Sequence, residues 1–402
     1  MPTYKMSASE FIRKSRDGTM DYVDFSDKLK KRMQQVNRRN SLLKEITDIK
    51  KGVALEPQLF GLPVVVSDGI CIRGFKASAG SMLLKNYQPQ YDATVIAKVR
   101  DSSGALAGKT NQDELGICKL GTNCAYALPQ NPADEEKAAG CCSAAALVSA
   151  LEMPLVAFSH SSCGSICSSA WSRTFSFLPE MKIEGALDPY TSNLRHGLIE
   201  GAASLERVAI HAKSAADIGV LSGIFLNGTS SGKDVSGMNI AIVNDNNDKE
   251  FWGKMHKLES HGAILKKTRV DFENTEDVWL DIISSEASFN AKRYAAMNLG
   301  GKAKIKFQPS HGRYRKALEA KEECEKRTRR ILRNYDLIAS PAMSQGPPEI
   351  SEAKKLSMKD ILRMHSSMPL VMAGTPAIVC GGVAVTGKSE SGVFSLANVL
   401  EK

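Results

Sequence analysis

Short apolar segments of strand length alternate with segments of helical periodicity through the first half of this chain. The segment 58–67 is a turn followed by the β-branched run Val64-Val65-Val66, which is typical of a strand. A helix is predicted at 92–101 with Asp92 as its N-cap, and short buried strands are predicted at 105–109 and 154–158. This alternation predicts an α/β fold in which helices cover both faces of a sheet.

The remainder of the chain adds further elements without an internal repeat or a low-complexity linker. Residues 1–50 are predicted to be helical, with capping-box spacing at Ser7-Ala8-Ser9-Glu10. The later predictions are strands at 207–210, 239–243, 267–272 and 335–341, helices at 215–225 and 313–333, and a loop at 244–247. We therefore expect one domain over residues 1–402, with a helical segment at 1–55 and an α/β core at 56–402.

Composition restricts the compartment and the class of protein. Hydrophobic residues make up 43% of the chain, but no run approaches the roughly 20 apolar residues of a membrane-spanning helix. The N-terminus lacks the apolar core of a secretory signal. The nine cysteines are odd in number and unevenly spaced, which favours free thiols in a reducing compartment. These features predict a cytoplasmic or mitochondrial matrix protein that is not associated with a membrane.

The formal charge of +9 is compatible with an anionic partner, of which RNA is the first candidate. Much of the excess lies in the amphipathic segments Lys28–Arg32 and Lys326–Arg333, where a solvated helix face is an equally good interpretation. Aromatic residues are only 6% of the chain and do not interleave with the basic ones. Charge alone therefore permits contact with tRNA or other RNA without indicating it.

Several local motifs follow one another along the chain. The most specific is Gly108-Lys109-Thr110-Asn111-Gln112-Asp113-Glu114-Leu115, followed by Gly121-Thr122-Asn123. The others are Phe60–Val66, Cys163-Gly164-Ser165-Ile166 and Ala373–Ile378. In this order, the motifs resemble the segments of the amidase-signature family. The resemblance covers residues 8 to 385 and is greatest for the A subunit of the aspartyl/glutamyl-tRNA amidotransferase. It implies a single α/β/α sandwich with a large mixed β-sheet.

The resemblance also implies a catalytic triad of a lysine, a relay serine with a cis peptide, and a nucleophilic serine. A serine hydroxyl needs a base to attack an amide, and a buried lysine can be neutral near pH 7. The nucleophile position here is Ser165, but the lysine position is Ser67. The relay position lies 24 residues before the nucleophile and is Cys141. Two of the three triad positions thus hold a different residue.

The positions around the triad depart from the family pattern as well. The oxyanion turn reads Ser162-Cys163-Gly164 where relatives have a threonine and two glycines. The aspartate that clamps the substrate glutamine in the amidotransferase is replaced by Met364. No equivalent of the clamping arginine is found near 300–310. The resemblance therefore predicts a retained framework whose amidase chemistry is lost or nearly lost.

We expect a catalytically degenerate protein that serves as a structural component of a larger assembly, with no cofactor. Its expected partners are other protein subunits, namely amidotransferase B and C subunits or a different assembly. The alternative is a diverged but active counterpart of the A subunit, which releases ammonia from glutamine with Ser165 as nucleophile. A weaker hypothesis is a hydrolase of another amide that uses Ser165, or Cys141 with His160 as base.

A zinc site is a further hypothesis, because two loops of the family fold bring several metal-binding side chains together. These side chains are Cys141, Cys142, His160, Cys163 and Cys167. No ligand spacing of the CxxC type was recognised among them. Buried thiols that fill space left by lost polar residues are favoured over a metal ligand set.

Overall fold

The computed structural model describes residues 4–163, 165–181, 194–226, 234–243, 248–270, 272 and 274–401. The helices are α1 Ala8–Arg16, α2 Tyr22–Asn40, α3 Thr94–Asp101, α4 Ala144–Leu151, α5 Ile166–Ser172, α6 Ala215–Leu226, α7 Lys249–Ser260, α8 Thr275–Ala296, α9 His311–Asn334, α10 Ile350–Ala353, α11 Met358–Arg363, α12 Met368–Met372 and α13 Glu390–Glu401. Two short 3₁₀ helices lie at Met82–Leu84 and Glu114–Gly116.

The strands are β1 Leu43–Ile46, β2 Pro63–Ser67, β3 Ala105–Thr110, β4 Gln130–Asn131, β5 Asp134–Ala138, β6 Val156–Ser161, β7 Phe175–Leu178, β8 Arg207–Ala212, β9 Asn239–Ile242, β10 Ile264–Lys267, β11 Leu337–Pro341, β12 Ala377–Cys380 and β13 Val383–Gly387. Eleven of these form one sheet in the order β1-β3-β2-β6-β8-β7-β12-β13-β11-β9-β10, while β4 and β5 pair separately.

The large sheet is mixed. β2 runs parallel to both β3 and β6, and β9 runs parallel to β10 and β11. The strands between these two parallel groups pair in antiparallel fashion. Helices α4, α6 and α13 pack on β6, β8 and β12. The predicted α/β class with a large mixed sheet flanked by helices is confirmed.

Burial explains why the segment at 63–67 reads as a continuous apolar run. All five residues of β2 are buried, because the strand has a neighbour on each side and is covered on both faces, as in parallel sheets generally. The predicted strands at 105–109, 207–210 and 239–243 and the predicted helices at 215–225 and 313–333 match β3, β8, β9, α6 and α9. The hydrophobic periodicity of the sequence therefore predicted these core strands and helices correctly.

Four local predictions need correction or fall outside the described residues. The segment 1–50 is helical only to Asn40, and β1 then pairs with β3 as an edge strand of the sheet. Helix α3 has Ala93 as its N-cap, since the Asp92 carboxylate instead accepts from the Arg73 N–H and pairs with Arg100. The strand predicted at 267–272 lies earlier, as β10. The loop predicted at 244–247 lies outside the described residues.

The basic segments of α2 and α9 are largely engaged in ion pairs on the protein surface. In α9, Lys326, Arg327 and Arg329 pair with glutamates one turn earlier on the same helix. In α2, Lys28 pairs with Asp24 in the same way. This arrangement matches a solvated helix face stabilised by i,i+4 pairs.

No helix in the described part of the chain is both long and apolar enough to cross a membrane.

Candidate active site

The three positions that correspond to the triad lie at the ends of central elements. Ser67 is the last residue of β2, and Cys141 lies in the loop between β5 and α4. Ser165 precedes α5 and has a φ of 57°, in the left-handed region. All three side chains are fully buried. The fold thus places Ser67 at the end of β2 and Ser165 beyond the end of β6, and these two ends share an edge of the sheet because β2 and β6 are parallel neighbours.

Ser67 faces a histidine. Its hydroxyl lies 3.5 Å from Nδ1 of His160 and accepts a hydrogen bond from the His160 backbone N–H at 3.3 Å. Nε2 of His160 lies 3.1 Å from the carbonyl oxygen of Ile199, so Nε2 carries the proton and Nδ1 accepts. Burial lowers the pKa of His160 to about 4, which keeps this ring neutral at pH 7. His160 is therefore committed to Ser67 and Ile199 and does not serve Cys141 as a base.

Lys109, a buried lysine of β3, does not lie beside Ser67 as a substitute for the lysine that the resemblance implies. Lys109 is aligned with Val66 across β2 and β3. Because successive residues of a strand point to opposite faces, Lys109 projects from the face opposite to Ser67. Its ammonium donates to the carbonyl of Lys76 at 3.1 Å and lies 3.6 Å from the carboxylate of Asp68. These contacts make Lys109 a structural charge.

Asp68 is the centre of this buried ion pair. Its carboxylate accepts from Lys44 Nζ at 2.6 Å, from the Ser78 hydroxyl at 2.5 Å and from the Gly80 N–H at 3.0 Å. Burial acts to raise the pKa of Asp68, but the charges of Lys109 and Lys44 outweigh it and hold the pKa below its usual value. Asp68, the residue after Ser67, thus binds the two cations Lys44 and Lys109.

The Ser165 hydroxyl belongs to a hydrogen-bond chain that links it through another serine hydroxyl to a histidine. Its Oγ lies 2.7 Å from Ser159 Oγ and 3.3 Å from Ser161 Oγ. Ser159 Oγ lies 2.7 Å from Nε2 of His211, whose Nδ1 lies 2.5 Å from Ser176 Oγ. Among the described residues, no lysine or carboxylate is a hydrogen-bond partner of Ser165 Oγ.

His211 is a weak base in this position. Burial lowers its pKa to about 3, so the ring is neutral at pH 7 but has little tendency to take a proton from a hydroxyl. Nearly all buried polar side chains have hydrogen-bond partners, and the Ser165–Ser159–His211 chain meets that requirement. The satisfaction of buried polar groups is therefore enough to explain these hydrogen bonds without a catalytic role.

Two backbone N–H groups of the turn that corresponds to the oxyanion hole have acceptors within the protein. The Ser162 backbone N–H donates to the carbonyl of Gly116 at 3.0 Å, and the Ser165 N–H donates to Ser161 Oγ at 2.8 Å. Cys163 is not among the residues of positive φ, and Gly164 lies outside the described residues. An oxyanion hole requires N–H groups aimed at the developing charge, and Ser162 and Ser165 both direct theirs elsewhere.

Cys141 faces other thiols. Its Sγ lies 3.4 Å from Cys163 Sγ and 3.7 Å from Cys167 Sγ, and Cys167 lies 3.7 Å from Cys118. The Cys142 thiol donates to the carbonyl of His160 at 3.4 Å and is not one of the four thiols that all lie within 4.8 Å of one another. The thiols therefore gather as predicted, except that Cys142 and His160 are replaced by Cys118.

No amino-acid clamp is evident in the described part of the chain. Met364 is buried, and Lys304, in the segment where an arginine was sought, donates from Nζ to the carbonyl of Cys124. A cleft of about 700 Å³ is lined by Trp171, Arg173 and other residues, but not by Ser67, Cys141 or Ser165. The triad positions are thus separate from this cleft.

Three residues of the site were missed by the sequence analysis. Ser159 and His211 lie on the adjacent strands β6 and β8, and no local motif signals their contact with Ser165. Cys118 follows the 3₁₀ helix at Glu114–Gly116 and is separated from the other thiols in sequence. A signal did exist for Cys163 and Cys167, whose spacing lies within the C-x₂₋₄-C range of zinc ligands.

Comparisons with known proteins agree with this architecture. A family model described as Amidase matches residues 27–166. The A subunit of the glutamyl-tRNA(Gln) amidotransferase of Sulfurisphaera tokodaii is 27% identical over 80% of this chain and 78% of its own length. Its counterpart in Lactobacillus gasseri is 26% identical over 97% of this chain and 95% of its own length.

A solved structure extends the likeness to the fold. The A subunit of the glutamyl-tRNA(Gln) amidotransferase of Thermotoga maritima has a TM-score of 0.77 and 19% identity, covering 100% of this chain and 96% of that one. The motifs, the mixed sheet and these relatives agree along nearly the whole chain. The chain is similar over nearly its whole length to the A subunits of glutamyl-tRNA(Gln) amidotransferases, and it shares their fold.

Proposed function

We propose that this chain is a catalytically degenerate amidase-signature protein that acts as a structural component of a tRNA-amidotransferase-like assembly. The observation that carries the proposal is the environment of Ser165. The only histidine linked to its hydroxyl, within the described residues, is reached through Ser159 and has a pKa of about 3. A nucleophilic serine requires a base of suitable strength in hydrogen-bond reach.

The remaining changes support the same conclusion. Loss of general-base assistance alone reduces rates by about 10²–10⁴-fold. The Ser162 and Ser165 N–H groups already have acceptors within the protein, and Ser165 has no exposed surface. The weak base, the two engaged N–H groups and the burial of Ser165 thus all support a loss of amidase activity.

A role in an assembly is supported by kinship and not by a surface feature. The relatives carry the name of one component of a glutamyl-tRNA(Gln) amidotransferase, so the expected partners are the B and C subunits of such an enzyme. Contact with tRNA would use the cations that remain after the surface ion pairs are formed.

The proposal is tested by glutaminase and general amidase assays on the purified chain and on Ser165→Ala. We expect no difference between the two proteins. Turnover by the unmodified chain that Ser165→Ala abolishes would establish the alternative, an active amidotransferase component. In that case His211→Ala identifies the base, because it should remove the same activity if the Ser159 relay operates.

A gain-of-function control shows whether the framework still supports chemistry. Ser67→Lys combined with Cys141→Ser restores the family residues at two triad positions. The assembly is tested separately, by purifying the chain with its partners from its native source and identifying them by mass spectrometry. Recovery of the chain without any stably bound protein would contradict the structural role.

A further inference from the structure

Four buried thiols converge on one point beside the triad positions. These are Cys118, Cys141, Cys163 and Cys167, which we call the four-cysteine cluster. Their Sγ atoms all lie within 4.8 Å of one another, and each side chain is at most 2% exposed. The chain has nine cysteines, all buried, so burial alone does not account for four of them meeting.

The four thiols come from three separate parts of the backbone. Cys118 follows the 3₁₀ helix at Glu114–Gly116, and Cys141 lies in the loop before α4. Cys163 lies in the turn after β6, and Cys167 lies in the first turn of α5. A pair of ligands close in sequence, joined by two distant ones, is a common arrangement for a zinc site.

We propose that the four-cysteine cluster binds one zinc ion in tetrahedral coordination. Zn–S bonds are about 2.3 Å long, and tetrahedral geometry then places the sulfur atoms about 3.8 Å apart. The Cys141–Cys163, Cys141–Cys167 and Cys118–Cys167 distances are 3.4, 3.7 and 3.7 Å. Small side-chain adjustments therefore suffice to reach coordination distances.

Polar groups surround the cluster where a metal site requires outer-shell support. The Ser161 hydroxyl lies 3.8 Å from Cys141 Sγ and 3.6 Å from Cys163 Sγ, and the Ser168 hydroxyl lies 4.0 Å from Cys141 Sγ. These hydroxyls can donate to thiolates. Zinc with four thiolates carries a charge of −2, and each thiol loses its proton to solvent on binding.

A histidine side chain, His365, lies beside the four-cysteine cluster. Its Nδ1 lies 2.9 Å from the carbonyl oxygen of Ile361, and its Nε2 lies 3.9 Å from Cys118 Sγ. A carbonyl oxygen only accepts, so Nδ1 carries a proton.

Other occupants of the cluster fit the geometry less well. A disulfide needs an S–S distance of about 2.05 Å, which none of the measured pairs approaches, and it would leave two thiols unpaired. A cluster of several iron atoms separates its thiolates by its own metal and sulfide atoms. Sγ atoms all within 4.8 Å of one another leave room for a single ion.

The proposed ion is structural and not catalytic. Four thiolates complete a tetrahedral shell, whereas a catalytic zinc keeps a position open for water or substrate. Cys163 and Cys167 bracket Ser165, so zinc would fix the turn that carries the nucleophile position. This inference does not depend on the loss of amidase activity, since metal content and turnover are measured independently.

The experiment measures metal in the full chain, purified under reducing conditions without a metal-affinity step from cells grown with zinc. We expect one zinc per chain by elemental mass spectrometry. Cys118→Ala and Cys167→Ala should lose it, whereas Cys71→Ala and Cys380→Ala, which remove buried cysteines outside the cluster, should keep it. Zinc that survives both cluster substitutions would overturn the proposal.

A second measurement uses the unmodified chain and is insensitive to misfolding of variants. The chain is unfolded in denaturant that contains a chelator and a reductant. The chelator is then removed and the chain is refolded with Co²⁺. Tetrahedral thiolate coordination gives intense charge-transfer and d–d absorption, which stoichiometric Zn²⁺ should remove. A refolded chain with native circular dichroism that binds neither ion would refute the site, as would a disulfide between two of the four cysteines.

Discussion

Asp68→Asn tests whether Lys109 is held as a structural charge. Asp68 is fully buried and is the partner of two cations, Lys44 at 2.6 Å and Lys109 at 3.6 Å. Lys109 has no exposed surface, so it cannot reach water when the carboxylate becomes an amide. Removing one partner of a buried pair costs about 3–5 kcal/mol. We expect the free energy of unfolding in urea to fall by an amount of this size.

Asp48→Asn is the matched control. Asp48 pairs with Lys30 at 2.7 Å, nearly the same distance, but both side chains are substantially exposed. Exposed pairs contribute little because water solvates the separated charges, so the urea midpoint should hardly move. The double variant Asp68→Asn/Lys109→Met should recover part of the loss, because it also removes the uncompensated charge. Equal midpoints for Asp68→Asn and Asp48→Asn would refute the reasoning.

Three further predictions concern stability. Burial raises the pKa of Glu206 from 4.5 to about 7, so the folded state retains a proton that the unfolded state loses. Stability should therefore fall by about 3 kcal/mol as pH rises from 4.5 to 7, and Glu206→Gln should flatten this dependence in urea titrations. A slope unchanged by that substitution would contradict the assignment. Asp217 accepts from the Ala8 and Ser9 N–H groups and thereby caps α1 from α6, so Asp217→Ala should cost about 1 kcal/mol, visible as a lower melting temperature. Unfolding midpoints should also fall on prolonged chelation with reductant if zinc occupies the four-cysteine cluster, with Cys118→Ala showing no further response to the chelator.

Local sequence was sufficient for the framework because each element depends on its own pattern. The buried run Val64-Val65-Val66 is explained by a strand covered on both faces, and α9 shows its helical period along 24 residues. Two local predictions were wrong because contacts between distant segments determine the structure at those positions. Residues 43–46 form strand β1 because they pair with β3. Asp92 does not cap α3 because its carboxylate contacts Arg73 and Arg100.

The damaged triad illustrates the same division. From the sequence, the family resemblance predicts that the lysine position is Ser67 and that the nucleophile position is Ser165, since residue types at motif positions can be read directly. Only the tertiary structure decided what these residues contact. Strand pairing of β6 with β8 places Ser159 against His211, and three separate parts of the backbone bring Cys118 to Cys141, Cys163 and Cys167. Side chains far apart in sequence meet through sheet register and loop packing, and a linear pattern carries no record of those distances.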